Sequence, residues 1–258
     1  MIDAVVITGA GQGIGKAVAI KLGINGIPIL CISKSSNSTK TMEEIIKKGG
    51  TAESLILNIE DYDGTQKILK KWASQTKYKK IGVVLAAAIL GPTGPLINSL
   101  LKEWESCLKI NTLGGLAVLT GLLPKMIENK FGRIITFAGG GSAYAFPKFP
   151  AYSASKTAMV RITENIHEDL KDKGDFAVVC LAPGAVETEM LKQVCQAGAE
   201  VKTLVDISEP VSFIEKFIGC TSCGFSGSFV HVRDNWKEYL NSKKQLSGNS
   251  MWKLRRIE

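Results

Sequence analysis

The 258-residue chain predicts an α/β fold, a doubly wound parallel seven-stranded sheet with helices on both faces. Three observations predict it. Seven short apolar runs alternate with segments of helical periodicity, an order that reads as repeated βαβ units with right-handed crossovers. The first run passes straight into a glycine-rich turn and then a helix, as a strand does when it enters a phosphate-binding turn. No linker, internal repeat or low-complexity tract divides the chain, so residues 1–258 read as one domain.

The first strand, Ala4 to Thr8, leads into Thr8-Gly9-Ala10-Gly11-Gln12-Gly13-Ile14-Gly15, ahead of the helical stretch Lys16 to Leu22. Glycines at alternate positions let the backbone turn sharply and approach another group with no Cβ between them. Free N–H groups and the positive end of the helix dipole then suit a dinucleotide pyrophosphate, although tight strand-to-helix packing would also use glycine here. The pattern is T-G-x-x-x-G-x-G. It is not the strict G-x-G-x-x-G, because Ile14 takes that pattern's last position.

The second strand, Pro28 to Ser33, ends with Ser33-Lys34 where an acidic side chain would hold ribose hydroxyls. A lysine there tolerates a 2′-phosphate, which favours NADP(H) over NAD(H); an ordinary exposed strand-end lysine would look the same. After the third strand, Ala52 to Leu57, Asn58 can exchange hydrogen bonds with an adenine edge, beside Ile59. The fourth strand, Ile81 to Ala86, runs into Ala87 and Ala88, small residues that let backbone lie close to a cofactor. Gly91-Pro92-Thr93-Gly94-Pro95 reads as a loop, and a long helix is expected from Ser99, with Leu100, Trp104 and Leu108 facing the core or a partner. Asn111 lies inside that helix, where an asparagine taken alone reads as an irregularity or a satisfied buried amide.

The fifth strand, Gly132 to Phe137, precedes Ala138-Gly139-Gly140-Gly141-Ser142. Beyond it, Tyr152 and Lys156 stand four apart and so adjacent on one helix face, with Ala154, Ala158, Ile162 and Ile166 on another. A phenol titrates near about 10 in water, and a neighbouring ammonium draws it toward neutral pH. The pair can protonate a carbonyl oxygen or deprotonate an alcohol. The sixth strand, Phe176 to Ala182, leads into Pro183-Gly184-Ala185-Val186-Glu187-Thr188, and the seventh is Ser228 to Val232. Residues 187–208 between them have weaker periodicity.

Together, the turn from Thr8 to Gly15, Asn111, Tyr152 with Lys156, and Pro183 to Thr188 resemble the short-chain dehydrogenase/reductase family in its single-domain form, over nearly the whole chain. The resemblance implies a Rossmann-like fold and an NAD(P)-dependent oxidoreductase that interconverts a carbonyl and a secondary alcohol by hydride transfer. It implies Tyr152 as general acid/base, Lys156 as the group that lowers its pKa and holds the nicotinamide ribose, and Asn111 as holder of a relay water. It places cofactor contacts at Thr8, Gly9, Gln12, Gly13, Ile14, Gly15, Ser33, Lys34, Asn58, Ile59, Ala86, Ala87, Pro183 and Gly184, and on the carboxamide at the Val186 backbone and Thr188 hydroxyl. Residues 187–208 become a substrate lid, and the Asn111 and Tyr152 helices the contact of a homodimer or homotetramer.

The chain departs from the pattern twice. Ala86-Ala87-Ala88-Ile89 stands where the family shows N-N-A-G, and Gly139 stands where it places a serine thirteen positions before the tyrosine. Either Ser142 or the glycine N–H groups take over the reacting oxygen, or Ser142 is merely a turn hydroxyl. The missing serine also motivates a second reading, a cofactor-binding sensor or assembly subunit with little turnover.

The formal charge of +8 is scattered through presumed helices, which argues for an affinity for anionic substrates and against a nucleic-acid partner. No apolar run approaches a membrane span, and a cytoplasmic protein acting on a small carbonyl or alcohol is expected. The six cysteines read as small buried hydrophobes; Cys220 and Cys223 have the spacing of half a zinc site without a second pair, so no metal is expected. His167 and His231 are isolated and read as structural. The basic, aromatic tail 233–258 reads as solvated or packed on a subunit.

Overall fold

In the computed structural model, which describes residues 2–201, 203–246 and 252–254, strands β1 (Ala4–Thr8), β2 (Ile29–Ser33), β3 (Ala52–Ile56), β4 (Ile81–Leu85), β5 (Phe131–Phe137), β6 (Asp175–Ala182) and β9 (Ser228–His231) form one parallel sheet. Its order is β3-β2-β1-β4-β5-β6-β9. The chain works outward from β1 to β3 and then returns to β4, so the strand order reverses between β1 and β4. Such a reversal opens a crevice at the carboxyl ends of the strands.

Both faces of the sheet are covered, which is why its strands are apolar runs and not alternating ones. On one face Val5, Ile7 and Val179 pack with α1 (Gly13–Ile24), α2 (Asn37–Lys47) and α8 (Ser208–Ile218) through Val18, Leu22, Ile45, Phe213 and Phe217. On the other, Val6, Ile32, Val83 and Ile134 pack with α3 (Tyr62–Gln75), α5 (Gly115–Glu128) and α6 (Pro150–Leu170) through Leu69, Leu122 and Leu170. All seven predicted strands are present, with ends within one residue of expectation. Pro28 falls just outside β2 because it has no N–H to give, and only its carbonyl serves, accepting from the Val5 N–H at 2.9 Å.

The long helix expected from Ser99 runs without a break from Leu101 to Glu128, with a π-helical segment inside it. A 3₁₀ turn at Leu96–Asn98 precedes α4 (Leu101–Leu108), and a π-helical segment, Lys109–Gly114, joins α4 to α5. Asn111 sits in that π segment with its side chain turned to the chain after β4, accepting from the Ile89 N–H and donating to the Ile89 carbonyl, both at 2.8 Å. The stretch Leu101–Glu128 is long and apolar enough to cross a membrane, contrary to the sequence reading; 56% of its most apolar window is buried inside the fold. Leu96, Ile97, Leu100 and Leu101 are exposed, Ile97 at 91%.

Two features were not legible in the sequence. A two-stranded parallel ribbon, β7 (Ala185–Val186) with β8 (Leu204–Val205), brackets α7 (Glu189–Gln196). Arg133 on β5 is 1% exposed, and its guanidinium donates to the carbonyls of Gly132, Asp175 and Cys220 and to the Asp175 carboxylate. Of the tail, Trp252 packs edge-on against Phe225 and Tyr239 and its carbonyl accepts from the Phe229 N–H at 2.7 Å; residues 247–251 and 255–258 lie outside the described residues.

Candidate active site

A cavity of about 890 Å³ runs along the carboxyl ends of the strands. The glycine turn forms its floor. Gly9 and Gly13 adopt φ of +66° and +54°, and a Cβ on Gly9 would lie 2.9 Å from the Ala87 nitrogen. Helix α1 starts with Gln12 as N-cap, without a side-chain cap and without an acidic residue in its first turn. Its leading N–H groups therefore have no acceptor within the helix and face the cavity. A cradle of this kind, closed to any Cβ and rich in N–H donors, fits a dinucleotide pyrophosphate.

Beyond the turn, the wall of Ser33, Lys34, Ser35, Asn37 and Asn58 carries no carboxylate. The Ser33 hydroxyl donates to the Ser35 carbonyl at 2.7 Å and accepts from the Ser38 N–H at 3.2 Å, which holds this loop in shape. Thr8 braces the neighbouring backbone, its hydroxyl accepting from the Ala87 N–H at 3.1 Å. Thr8, Gly9, Gln12, Gly13, Ile14, Gly15, Ser33, Lys34, Asn58, Ile59, Ala86, Ala87, Pro183, Gly184, Val186 and Thr188 all line the cavity with Tyr152 and Lys156; Asn111 and Ser142 do not.

Tyr152 and Lys156, on the first turns of α6, share one face, with the Lys156 Nζ 5.8 Å from the centre of the phenol ring. Burial pushes the Tyr152 hydroxyl above its ordinary range and brings Lys156 down to about 8. The sequence led to the opposite expectation for the phenol. Desolvation disfavours the charged form of each group and is the largest influence on both. Asn111 lies behind them, its amide also donating to the Ser155 hydroxyl at 3.0 Å. It is a brace between the chain after β4 and α6.

The segment after β5 turns back on itself. Ser142 is 2% exposed; its hydroxyl accepts from the Gly139 N–H at 3.0 Å, and its own N–H donates to the Gly139 carbonyl at 3.1 Å. These contacts hold the Ser142 hydroxyl within the loop, off the cavity lining. Gly139 lies against Tyr152, and a Cβ there would come 2.5 Å from the phenol oxygen.

The far wall contains residues that sequence reasoning passed over. Phe229 and His231, alternate residues of β9, face the cavity as the period of a strand requires, and Arg233 joins them from the turn that follows. That alternation was the available signal. His231 is thus a wall residue, in contrast to its structural reading. Its Nδ1 accepts from the Arg233 N–H at 3.1 Å, so the neutral ring carries its proton on Nε2. His167 is tied to the Ser226 hydroxyl at 2.9 Å, away from the cavity wall.

Thr188 opens α7, its hydroxyl accepting from the Leu191 N–H at 3.4 Å and donating to the Val186 carbonyl at 3.2 Å. The other end of α7 is held by Lys148, whose Nζ donates to the carbonyls of Ala197 at 3.2 Å and Gly198 at 3.0 Å. A cation at a helix C-terminus satisfies orphan carbonyls and opposes the dipole, worth about 1 kcal/mol. Lys148→Met is expected to speed amide hydrogen exchange across 189–198 about fivefold. Unchanged exchange there would show that α7 is held without this lysine.

A tyrosine and a lysine beside a glycine-lined turn, at the reversal point of a parallel sheet, define a Rossmann-like α/β protein with an oxidoreductase-type site. The sequence profile of the short chain dehydrogenase family matches residues 3–198. The chain belongs to the short-chain dehydrogenase/reductase family of oxidoreductases. It is 30% identical over 187 residues to 3-oxoacyl-(acyl-carrier-protein) reductase FabG of Buchnera aphidicola subsp. Schizaphis graminum, covering 72% of this chain and 74% of that protein. It is 27% identical over 186 residues to the 3-oxoacyl-(acyl-carrier-protein) reductase of Synechocystis sp., covering 71% and 74%. Among solved structures, NAD+-bound xylitol dehydrogenase superposes with a TM-score of 0.80 at 22% identity over 89% of this chain and 96% of that one. An actinorhodin polyketide ketoreductase variant with NADPH gives 0.80 at 20% identity over 90% and 95%. The family profile ends ahead of β8, α8 and β9.

Proposed function

We propose that the protein is an NADP(H)-preferring oxidoreductase that interconverts a small carbonyl compound and its secondary alcohol. The observation that carries this reading is the presence of Tyr152 and Lys156 on the wall of a cavity that is continuous with the glycine turn. The turn residues Gly9 to Gly15 would hold the pyrophosphate, the Lys34 wall the adenosine end, and Pro183 to Thr188 the nicotinamide end. When bound, the nicotinamide supplies or accepts the hydride. Tyr152, protonated across the neutral range, donates its proton to the carbonyl oxygen; charged Lys156 then stabilises the phenolate left behind, and the reverse direction uses the same groups in reverse. The relatives named as 3-oxoacyl reductases make a carbonyl flanked by an acyl chain one reasonable substrate, alongside a keto-sugar. Residues 187–208 act as the substrate lid, and exposed Leu96, Ile97, Leu100 and Leu101 with α4, α5 and α6 provide the contact of a homodimer or homotetramer in a cytoplasmic setting without nucleic acid or membrane.

The test is oxidation of NADPH or NADH by the purified protein against a panel of carbonyl compounds, with Tyr152→Phe as control. Cofactor binding without any Tyr152-dependent turnover would favour the sensor or assembly-subunit reading, which the absence of a serine at Gly139 supports. Cofactor choice is tested separately. Lys34→Ala is expected to lower the kcat/KM ratio of NADPH over NADH about tenfold, the loss of one charge-assisted contact. An unchanged ratio would remove Lys34 from the cofactor assignment.

A further inference from the structure

This inference rests on Tyr152 as the acid/base group and concerns the residue that seats it. A Cβ built on Gly139 lies 2.5 Å from the Tyr152 hydroxyl oxygen, 2.8 Å from Cε1 and 2.9 Å from Cζ. Carbon atoms in contact settle near about 3.5–4.0 Å, so these approaches are repulsive. Gly139 has no left-handed backbone to accommodate, unlike Gly9 and Gly13. A side chain at this position therefore requires the phenol to move.

The backbones on both sides are held. Gly139 is clamped by the reciprocal pair of hydrogen bonds with Ser142, from its N–H to the Ser142 hydroxyl and from the Ser142 N–H to its carbonyl. The Tyr152 ring packs in an apolar cluster with Leu90, Phe149 and Val194, and its backbone carbonyl accepts from the Ser155 hydroxyl at 2.7 Å. The ring lies on α6, which is continuous to Leu170.

We propose that Gly139 is a positioning residue. By leaving its Cα face open it seats the Tyr152 phenol in the space that a side chain at this position would otherwise fill. The site is thus a rearranged one and not a serine-bearing site that has lost its serine. The Tyr152 hydroxyl lines the cavity beside Gly139, whereas Ser142 is turned into the loop. The two descriptions make opposite forecasts for the obvious restoration.

If Gly139 seats the phenol, Gly139→Ser and Gly139→Ala lower kcat alike, on the order of tenfold or more, with KM for NADPH changed less than about twofold. A rise in kcat on Gly139→Ser would overturn the proposal. A stability cycle gives a readout independent of turnover. Gly139→Ala is expected to lower Tm by roughly 5 °C in the parent and by half that or less in Tyr152→Ala, which removes all three crowded atoms. Equal losses in both backgrounds would also overturn it. Should Tyr152→Phe keep full turnover, the acid/base reading falls, yet the cycle still reports whether Gly139 seats the ring.

Discussion

Replacing Tyr152 by phenylalanine is expected to lower turnover on any accepted carbonyl by about 10²–10⁴-fold, the usual worth of a positioned general acid. The change removes one oxygen from a ring packed among Leu90, Phe149 and Val194, so the fold and NADPH affinity should be retained. The pH profile carries a second signature. Burial brings Lys156 down to about 8 and pushes Tyr152 upward, so on raising the pH the lysine loses its proton first. Below about 8 the ammonium is present to stabilise the phenolate that forms as the proton leaves; above it that help is lost while the phenol is still protonated. For carbonyl reduction, kcat/KM should therefore fall as pH rises through about 8. A flat profile to pH 10, with Tyr152→Phe inactive, would keep the phenol and remove the lysine from the chemistry.

The largest stability effect is expected at Arg133, far from the cavity. Its side chain is 1% exposed in the middle of the sheet, yet its donors are met by the carbonyls of Gly132, Asp175 and Cys220 and by the Asp175 carboxylate. The guanidinium so joins β5, β6 and the chain after α8. Arg133→Met keeps much of the volume and strips the donors, leaving buried carbonyls unpaired, at a cost of about 3–5 kcal/mol. Asp175→Asn should cost less than about 1 kcal/mol, because the Asp175 side chain is 56% exposed and screened by water. Urea unfolding of both variants checks the contrast. Equal losses would show that the ion pair matters and the carbonyl contacts do not.

The architecture was open to reading from the sequence because a parallel sheet covered on both faces leaves long apolar runs, such as Ala4 to Thr8 and Phe176 to Ala182, separated by helical periods. The Tyr152 and Lys156 pair was legible because spacing on a helix fixes which side chains are neighbours. What could not be read depended on packing across distant segments. The two-residue strands β7 and β8 are too short to have a period. The inward turn of Ser142 follows from a loop that closes on Gly139, and the balance between burial and ammonium at Tyr152 needs the surroundings of both groups. His231 was misjudged because an isolated histidine says nothing of the face it occupies, although its alternation with Phe229 along β9 did.

The closeness of Gly139 to the phenol has a consequence for inheritance. Some glycine codons lie a single nucleotide from a serine codon, so the substitution is within reach of one mutation. In this protein it meets a tyrosine already standing in the way. If Gly139 seats the phenol, a serine there is expected to be accepted only together with a shift of the tyrosine, so the two changes would be selected as a pair.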